Sequence, residues 1–594
     1  MNTEPVVLSV SAAAALAICF HISIIPHEID FKIKRLLGLY VASIAGLYYL
    51  LHRETVTNPG TVTVLSATVF NAALTASILI HRMFLHRAGK FPGPFMARVS
   101  KFYSVFLSVK KMQYHKEVEQ LHRKYGDFVR TGPREVSVIR ASAVQTIYGA
   151  QSTCSRAPFY SQVADHPNCS LHASRDRVYH NLRRRAWDRG FSTAMLKDYE
   201  PRMGALTDLL IAQLRSRVGT PVDITTWSNY YSFDVMGDVG FGKSWGMLES
   251  GKLHKAINEL HAAMALLGYI GQVPWLSRLL MELPAATKAL KGFQDWCWKQ
   301  MEEKKKAVAQ FRPIEAFCWL AVETPSFGPW GARAVDSWVS VLPVRNLSAA
   351  TRLFGRVEVL DKPRDLITWL LTDSKLDTKL PSQAINEDSR LIIIAGSDTT
   401  ASTLAHAFYF LAKYPGAYKK LQNVLDAAFP GGDAEFSNAT ACGLKFLEGV
   451  IFETLRLKPA VPGGMLRMTP PEGLTIDEVY IPGDVVVSVP THSIQRDERY
   501  YEKASEFIPE RWMDEKAHMV KDKRAFIPFS KGTFGCVGKN LALMELRMVL
   551  AKVALNFELE FAEGENGSRI EEETKDTFTL TVTPLFVIFK EREK

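Results

Sequence analysis

The chain has little cysteine and no strong excess of charge of either sign. Its seven cysteines among 594 residues are widely scattered and include no C-x-x-C pair. This pattern excludes a disulfide framework and predicts a reducing compartment. Lys and Arg number 72 against 62 Asp and Glu, a net charge of +10, and no arginine-rich tail or nucleic-acid motif accompanies them. We therefore expect no nucleic-acid partner, and the mild positive balance indicates a face for anionic lipid or an acidic protein.

Long hydrophobic runs, in contrast, are present near the N-terminus. Residues 6 to 25 are uncharged, and they match the ~20 residues that a helix needs to cross ~30 Å of hydrocarbon. No polar, small-residue cleavage site follows, which disfavours a cleaved signal peptide. Two more apolar stretches follow, a shorter one at 36 to 51 and one at 61 to 80.

Basic residues flank these stretches unevenly. They follow the first stretch at positions 32, 34 and 35 and the third at positions 82, 87 and 90. Because such residues mark the cytoplasmic side, the pattern predicts up to three transmembrane helices with a non-cytoplasmic N-terminus. A single anchor at either end of this region would deliver the rest of the chain to the same side. Lys90-Phe91-Pro92-Gly93-Pro94 cannot continue a helix, so we place a domain boundary there, between residues 1 to 90 and residues 91 to 594.

The second domain shows mainly helical periodicity. Apolar spacing predicts a helix at 114 to 125, largely amphipathic helix at 253 to 305 and a long apolar helix at 386 to 413. Residues 307 to 355 differ, because they lack a sustained period and exceed ordinary loop length. We interpret them as an atypical insertion or as translated intron sequence, and the residues do not decide between the two.

One cysteine lies in a glycine-rich stretch immediately before a helical pattern. Cys536 follows Gly532 and Gly535 and precedes Gly538 in FIPFSKGTFGCVGKNLALMELR, residues 526 to 547. The glycines allow a tight turn and a close approach to a flat cofactor. A thiolate at a helix start gains from the dipole and from unpaired amides, which lower its pKa and suit it to a metal. For an isolated cysteine, the alternative is an inert buried thiol.

The surrounding spacing favours a metal ligand. Phe529, Gly532, Cys536 and Gly538 form the pattern F-x-x-G-x-x-x-C-x-G, which resembles the haem-binding loop of the cytochrome P450 family. The resemblance implies a mainly α fold with a small β lobe, preceded here by the transmembrane helices. It implies haem b, iron protoporphyrin IX, with Cys536 as the proximal ligand whose thiolate donates electron density that favours O–O cleavage.

The loop departs from the family at Phe534, where many members have an arginine or histidine that pairs with a haem propionate. Some filamentous-fungal members also have an aromatic residue there, and YSFDVMGDVGFG, 231 to 242, resembles a helix common in fungal members. The resemblance implies that Arg184 and Arg467 bind the propionates instead, and His180 fills the position of the family's tryptophan.

The arginine run around Arg184 carries further charge. We expect Arg183, Arg185 and Arg189 on a solvated face of their helix. Together with Lys531 and Lys539, the exposed members of the run are expected to form a cationic proximal face for an electron donor.

The long helix at 386 to 413 carries A-G-S-D-T-T, residues 395 to 400. Polar groups in an apolar helix cost roughly 2–7 kcal/mol unless they are hydrogen-bonded, and a threonine can bond back to the carbonyl one turn earlier. The motif resembles the family's A-G-x-D-T-T on the distal side of the haem. This implies that Gly396 leaves room for dioxygen, that Thr399 hydrogen-bonds it and that Asp398 supplies protons.

An acid and a base three residues apart mark a third motif. Glu453 and Arg456 would ordinarily form a surface ion pair, but their apolar neighbours predict burial. They match the family's E-x-x-R, and Pro509-Glu510-Arg511-Trp512 resembles the segment that adds a second arginine. The resemblance implies that Glu453, Arg456 and Arg511 lock the region behind the cysteine loop.

Taken in order, these motifs imply a haem-thiolate monooxygenase. It would insert one oxygen atom from O2 into an apolar small molecule, a secondary metabolite by the fungal resemblance, with electrons from NADPH-cytochrome P450 reductase. We expect the endoplasmic reticulum membrane, with the catalytic domain in the cytosol. The alternatives are a haem-thiolate isomerase or dehydratase acting on a peroxide, which Asp398-Thr399 disfavours, and a membrane haem protein that senses gas or redox state.

Overall fold

The computed structural model describes residues 4 to 310, 364 to 372 and 380 to 593. Within these ranges the protein is mainly helical with small sheets, which confirms the expected fold class. The atypical segment at 307 to 355 lies outside the described residues apart from its first four positions. The α-helices are α1 Glu4–Ile24, α2 Ile33–Arg53, α3 Pro59–Ile80, α4 Phe95–Val99, α5 Phe102–Lys111, α6 Tyr114–Tyr125, α7 Ala141–Tyr148, α8 Arg177–Gly190, α9 Thr193–Arg215, α10 Ile224–Phe241, α11 Met247–Ser250, α12 Lys255–Ile270, α13 Pro274–Leu280, α14 Pro284–Gln310, α15 Leu366–Thr372, α16 Ser382–Lys413, α17 Pro415–Ala428, α18 Asn438–Ala441, α19 Lys445–Leu457, α20 Thr491–Ile494, α21 Lys539–Asn556 and α22 Ser568–Glu573.

The strands form four small sheets. The strands are β1 Phe128–Gly132, β2 Glu135–Val138, β3 Ser155–Arg156, β4 Pro221–Asp223, β5 Arg467–Met468, β6 Leu474–Ile476, β7 Val479–Ile481, β8 Val486–Ser488, β9 Phe557–Phe561, β10 Lys575–Thr577, β11 Thr579–Thr581 and β12 Phe586–Glu591. A five-stranded sheet has the order β1-β2-β8-β5-β3, in which β2 and β8 are parallel and the other pairs antiparallel. A three-stranded sheet has the order β4-β12-β9, and β6-β7 and β10-β11 are two-stranded.

The apolar periodicity predicted where these helices lie, but it did not predict every position at which one helix ends and the next begins. Helix α6 has the predicted bounds, and α16 begins four residues before the predicted 386. The amphipathic stretch at 253 to 305 is divided among three helices, α12, α13 and α14. Pro274 and Pro284 begin the second and third of these, as expected for a residue that lacks an N–H and fits the first helical turn.

Three N-terminal helices, α1 to α3, are long and apolar enough to cross a membrane. Helix α1 begins two residues before the predicted stretch 6 to 25 and ends one residue before its end, whereas α2 and α3 cover 36 to 51 and 61 to 80 with wider bounds. Helix α1 packs along α3, where His21 Nδ1 lies 2.7 Å from Ser77 Oγ. Large apolar side chains on the outer faces of these helices are exposed, including Leu8, Leu16 and Leu39. Lipid is the environment that would cover such a surface.

The long helix α16 crosses the centre of the main core. It packs most closely against α10, and almost every α10 residue is buried. A second, smaller core lies beneath the five-stranded sheet and includes Val136, Ile481 and Val487. Cys536 lies in the loop that leads from this β-rich side to α21.

Candidate active site

The loop before α21 is built around glycine. Gly532 has a φ of +66°, and a Cβ there would lie 2.2 Å from the carbonyl oxygen of Tyr148. Any other residue would therefore be strained and would clash. The amide of Cys536 donates to the carbonyl of Phe529 at 2.9 Å, which closes the loop. Gly538 follows at the N-cap of α21.

The thiol of Cys536 has accessible surface, yet it lies deep enough in the protein for desolvation to raise its pKa. Together these properties indicate a recess inside the protein rather than its outer surface. The backbone N–H groups of Gly538 and Lys539 at the start of α21 lower the pKa of this thiol, as predicted, but desolvation outweighs them. The predicted net lowering of the pKa is thus wrong for the polypeptide alone. A metal reverses this balance, because it deprotonates a coordinating thiol outright.

Two buried arginines contact the ring of Phe534. The guanidinium carbon of Arg156 lies 4.4 Å from the ring centroid and that of Arg467 4.9 Å. His180 meets the same ring edge-on, with a centroid separation of 4.6 Å. Burial, followed by the charge of Arg156, lowers the pKa of His180 to about 3, so the imidazole is neutral. The aromatic residue that replaces the expected cation is therefore surrounded by cations from other segments.

Arg156 and Arg467 are direct partners in the antiparallel pairing of β3 with β5. Like charges placed opposite each other in a sheet are destabilising, and both side chains are almost fully buried. Neither forms an ion pair with any described residue, and the buried Nε of each has no hydrogen-bond partner. Burial, with a contribution from Arg467, lowers the pKa of Arg156 to about 9. Two buried cations this close together, without an acidic partner, favour the binding of an anion beside them.

The arginine run in α8 divides between the surface and the interior. Arg184 donates from Nη1 to the carbonyl of Gly535 at 2.7 Å and from Nε to Asp188 at 2.7 Å, so it reaches the cysteine loop. Arg185 and Arg189 are exposed, as predicted. The prediction was wrong for Arg183, which is fully buried and pairs with the buried Asp388 of α16. A run of charged residues does not indicate which of its members is buried, because burial depends on the helix that packs against that member.

On α16 the polar motif has mixed surroundings. Ala395 is exposed and Gly396 and Thr399 are partly so, whereas Ser397, Asp398 and the helix beyond Thr400 are buried. Thr399 Oγ1 donates to the carbonyl of Ala395 at 2.7 Å, which leaves its lone pairs to accept. This is the back-bonding arrangement considered from the sequence.

Two neighbours of this motif come from other helices. A Cβ on Gly396 would lie 2.3 Å from Met236 Sδ of α10, so the Met236 side chain fills the space beside this glycine and would have to move for any larger residue. A role of Gly396 in admitting dioxygen stays a prediction. The buried Oδ1 of Asp398 has no hydrogen-bond partner among the described residues, and Nε2 of His261 in α12 lies 3.6 Å from it.

The acid–base pair of α19 is fully buried. Glu453 Oε1 lies 2.8 Å from Arg456 Nη2 and 2.8 Å from Arg511 Nε, and Trp512 Nε1 donates to Oε2 at 2.9 Å. The remaining guanidinium N–H groups donate to backbone carbonyls, those of Arg456 to Gln495, Ala504 and Glu506. Every charge in this cluster is therefore compensated or hydrogen-bonded, which is the condition for a stable buried ion group.

Sequence reasoning missed Arg156 and His261. Arg156 lies in an irregular polar stretch without periodicity, and its partner Arg467 is more than 300 residues away. The only sequence signal was the unexplained Phe534, which required a cation from elsewhere. His261 is one polar residue in an amphipathic helix, and only the packing of α12 near α16 gives it a neighbour in Asp398.

Comparison with known proteins agrees with this geometry. The family model for cytochrome P450 matches residues 92–589. The cytochrome P450 monooxygenase FCK2 of Fusarium pseudograminearum is 36% identical over 522 residues, which cover 87% of this chain and 85% of the relative. The tryprostatin B 6-hydroxylase of Aspergillus fumigatus is 35% identical over 534 residues, which cover 89% of this chain and 85% of the relative.

Proposed function

The chain belongs to the cytochrome P450 family, and from that premise we propose a membrane-anchored monooxygenase that inserts one oxygen atom from O2 into an apolar secondary metabolite. Electrons come from an NADPH-dependent cytochrome P450 reductase. The observation that carries the proposal is the juxtaposition of Cys536 with two buried, unpaired cations on paired strands. A thiolate ligand and two cations that could pair with the propionates are therefore both found around the loop that carries Phe534 and Cys536.

Haem b is the proposed cofactor. Cys536 would bind the iron, and Arg156, Arg467 and Arg184 would bind the propionates, with His180 and Phe534 packed between them. Phe529 and Gly538 would shape the loop around the thiolate. When bound, the haem supplies reductive activation of O2, and a thiolate ligand favours cleavage of the O–O bond.

The residues of α16 would supply protons. Thr399 Oγ1 already donates to its own helix, so it is placed to accept a hydrogen bond on the partly exposed side of α16. Asp398 holds an unpartnered oxygen next to His261, a side chain whose ring lies about one-third exposed. The pair offers a route by which protons pass from the surface to Asp398 and then, through water, to the substrate side of the helix.

Residues 1 to 90 are proposed as the anchor and residues 91 to 594 as the catalytic domain, with the anchor in the endoplasmic reticulum membrane. Glu28 and Asp30, in the loop between α1 and α2, form ion pairs with Arg175 and Arg134 of the second domain. That loop therefore shares the side of the catalytic domain, which supports a cytosolic domain and a non-cytoplasmic N-terminus. Two exposed cations support the docking of an acidic redox partner on this face. Lys539 is the first residue of α21, and Arg185 follows Arg184, which reaches the cysteine loop.

A reconstituted reaction tests the function. We expect full-length protein in vesicles with an NADPH-dependent reductase to oxidise NADPH and to form products that carry one added oxygen atom. The probes are tryprostatin B, the compound named for the Aspergillus fumigatus relative, and an extract from a deletion strain of the source organism. Conversion without NADPH would instead support the isomerase or dehydratase, and haem binding without any turnover would support the sensor.

The role of Thr399 gives a second prediction. In Thr399→Ala we expect haem binding and NADPH oxidation to persist, while hydrogen peroxide replaces much of the product. Positioned proton transfer typically contributes about 10²–10⁴-fold, and alanine keeps the helix but removes the hydroxyl. The measurement is the ratio of product to NADPH oxidised, with peroxide assayed in the same sample.

Thr403 provides the matched control. Its hydroxyl makes the same back-bond one turn later, to the carbonyl of Thr399 at 2.8 Å, but the residue is buried. Thr403→Ala should keep the ratio of product to NADPH close to that of the wild type. An unchanged ratio in Thr399→Ala would remove Thr399 from the proton route.

A further inference from the structure

The loop between the first two membrane helices binds the catalytic domain through a strong ion pair. Both carboxylate oxygens of Glu28 accept hydrogen bonds of 2.7 Å from Nη1 and Nη2 of Arg175. A parallel pair of this kind is among the strongest charge-assisted contacts, because two bonds fix its geometry. Partial burial raises the pKa of Glu28, but the hydrogen bonds and charge of Arg175 outweigh it, so the pKa lies below its usual value.

Arg175 continues this contact to the cofactor site. Its Nε donates to the backbone carbonyl of Arg156 at 3.1 Å. In return, Nη1 of Arg156 donates to the carbonyls of Leu171 at 2.7 Å, Ser174 at 3.2 Å and His172. The segment 171 to 175 therefore holds both the backbone and the side chain of Arg156. Glu28 holds the outer end of that segment.

Another contact between the anchor and the catalytic domain lacks this connection. Lys34 of α2 lies 2.6 Å from Glu282, but both side chains are about half exposed, 56% and 51%, against 26% and 32% for Arg175 and Glu28. Glu282 lies between α13 and α14, and among the described residues it contacts neither Arg156 nor the segment 171 to 175. It therefore serves as a matched control for breaking an anchor contact.

We propose that Glu28 and Arg175 are positioning residues that hold Arg156 against the haem propionates, so that the loop between α1 and α2 is part of the cofactor site. The inference rests on the proposed function, because it requires bound haem. Its consequence is that the first membrane helix does more than anchor the protein. The contact of its loop with Arg175 sets the rate at which the haem is lost.

The rate of haem loss from full-length protein in lipid nanodiscs tests this, with apomyoglobin as the acceptor. Arg175→Lys keeps the charge but loses the two-pronged contact and the Nε donor. We expect it, and Glu28→Gln, to release haem about 3- to 10-fold faster than the wild type, as the loss of one hydrogen-bonded charge pair predicts. Glu282→Gln should release haem at the wild-type rate. Arg156→Gln, which removes the cation itself, should be at least as fast as Arg175→Lys.

The haem reduction potential separates positioning from a field effect. A cation beside a propionate favours the reduced iron, so withdrawing Arg156 should lower the potential. If these residues acted only through their electric field, loss of the negative charge in Glu28→Gln would raise the potential, and Arg175→Lys, which keeps its charge, would leave the potential unchanged. We therefore expect a lower potential in Arg175→Lys.

Arg175→Lys protein with the haem-loss rate and potential of the wild type would overturn this inference alone. A wild-type chain that takes up no haem would overturn the proposed function together with it.

Discussion

Cys536→Ser should abolish the strongly red-shifted absorption band that the reduced, carbon-monoxide-bound haem shows with thiolate ligation. The band depends on electron density from the sulfur, and a serine hydroxyl is a far weaker donor to iron. The surroundings make the substitution conservative for the fold, because the thiol already lies in a recess and its backbone amide still bonds to Phe529. We therefore expect a folded protein that either holds haem without the band or loses haem.

Cys442→Ser is the matched control for this variant. Cys442 is also exposed, and its sulfur is 3.9 Å from the Asn438 side chain, far along the sequence from the cysteine loop. It should keep the full band and the haem content of the wild type. If the band survived in Cys536→Ser, the axial ligand would be another residue and the proposed cofactor site would be wrong.

Glu453→Gln should prevent accumulation of folded haem protein. The carboxylate compensates two fully buried guanidinium groups, those of Arg456 and Arg511, and both its oxygens are in use. Removing one partner of a buried ion group destabilises a protein by about 3–5 kcal/mol, a large share of a typical total stability of about 5–15 kcal/mol. The measurements are haem content per chain and the thermal unfolding midpoint of purified protein.

Glu510→Gln tests whether burial of the ion group is the reason that Glu453→Gln destabilises the protein. Glu510 is adjacent to Arg511 and pairs with Lys420 at 3.0 Å, but this pair is partly accessible to solvent, with side-chain exposures of 25% and 44%. Such pairs contribute about 0–1 kcal/mol, so the same substitution should leave haem content unchanged. Glu453→Asp, which keeps the charge on a shorter side chain, should fall between the two. A Glu453→Gln protein with normal haem content and midpoint would refute the stabilising role.

Several features could be predicted because their signals are local. The glycine spacing around Cys536 predicted a tight turn before a helix, and Gly532 has the positive φ that only such a residue adopts easily. Helical periodicity located α6 and α16, and the length of the apolar runs located α1 to α3. The apolar neighbours of Glu453 and Arg456 predicted their burial, since helix faces are visible in a sequence.

The environment of individual charges was decided only by tertiary structure. Arg183 and Arg185 are neighbours in one arginine run, yet Arg183 is buried against Asp388 and Arg185 is exposed. The sequence shows the charge but not the distant helix that covers it.

By itself, the sequence determined the family, the cysteine loop, several helices of the catalytic domain and three helices fit for a membrane. Only the tertiary structure decided that Arg156 lies opposite Arg467, that Gly396 packs against Met236 and that Glu28 reaches Arg175. The physical reason is that helix formation, turns and apolar length depend on residues a few positions apart. Burial, strand pairing and ion pairing depend on segments that approach only when the whole chain packs.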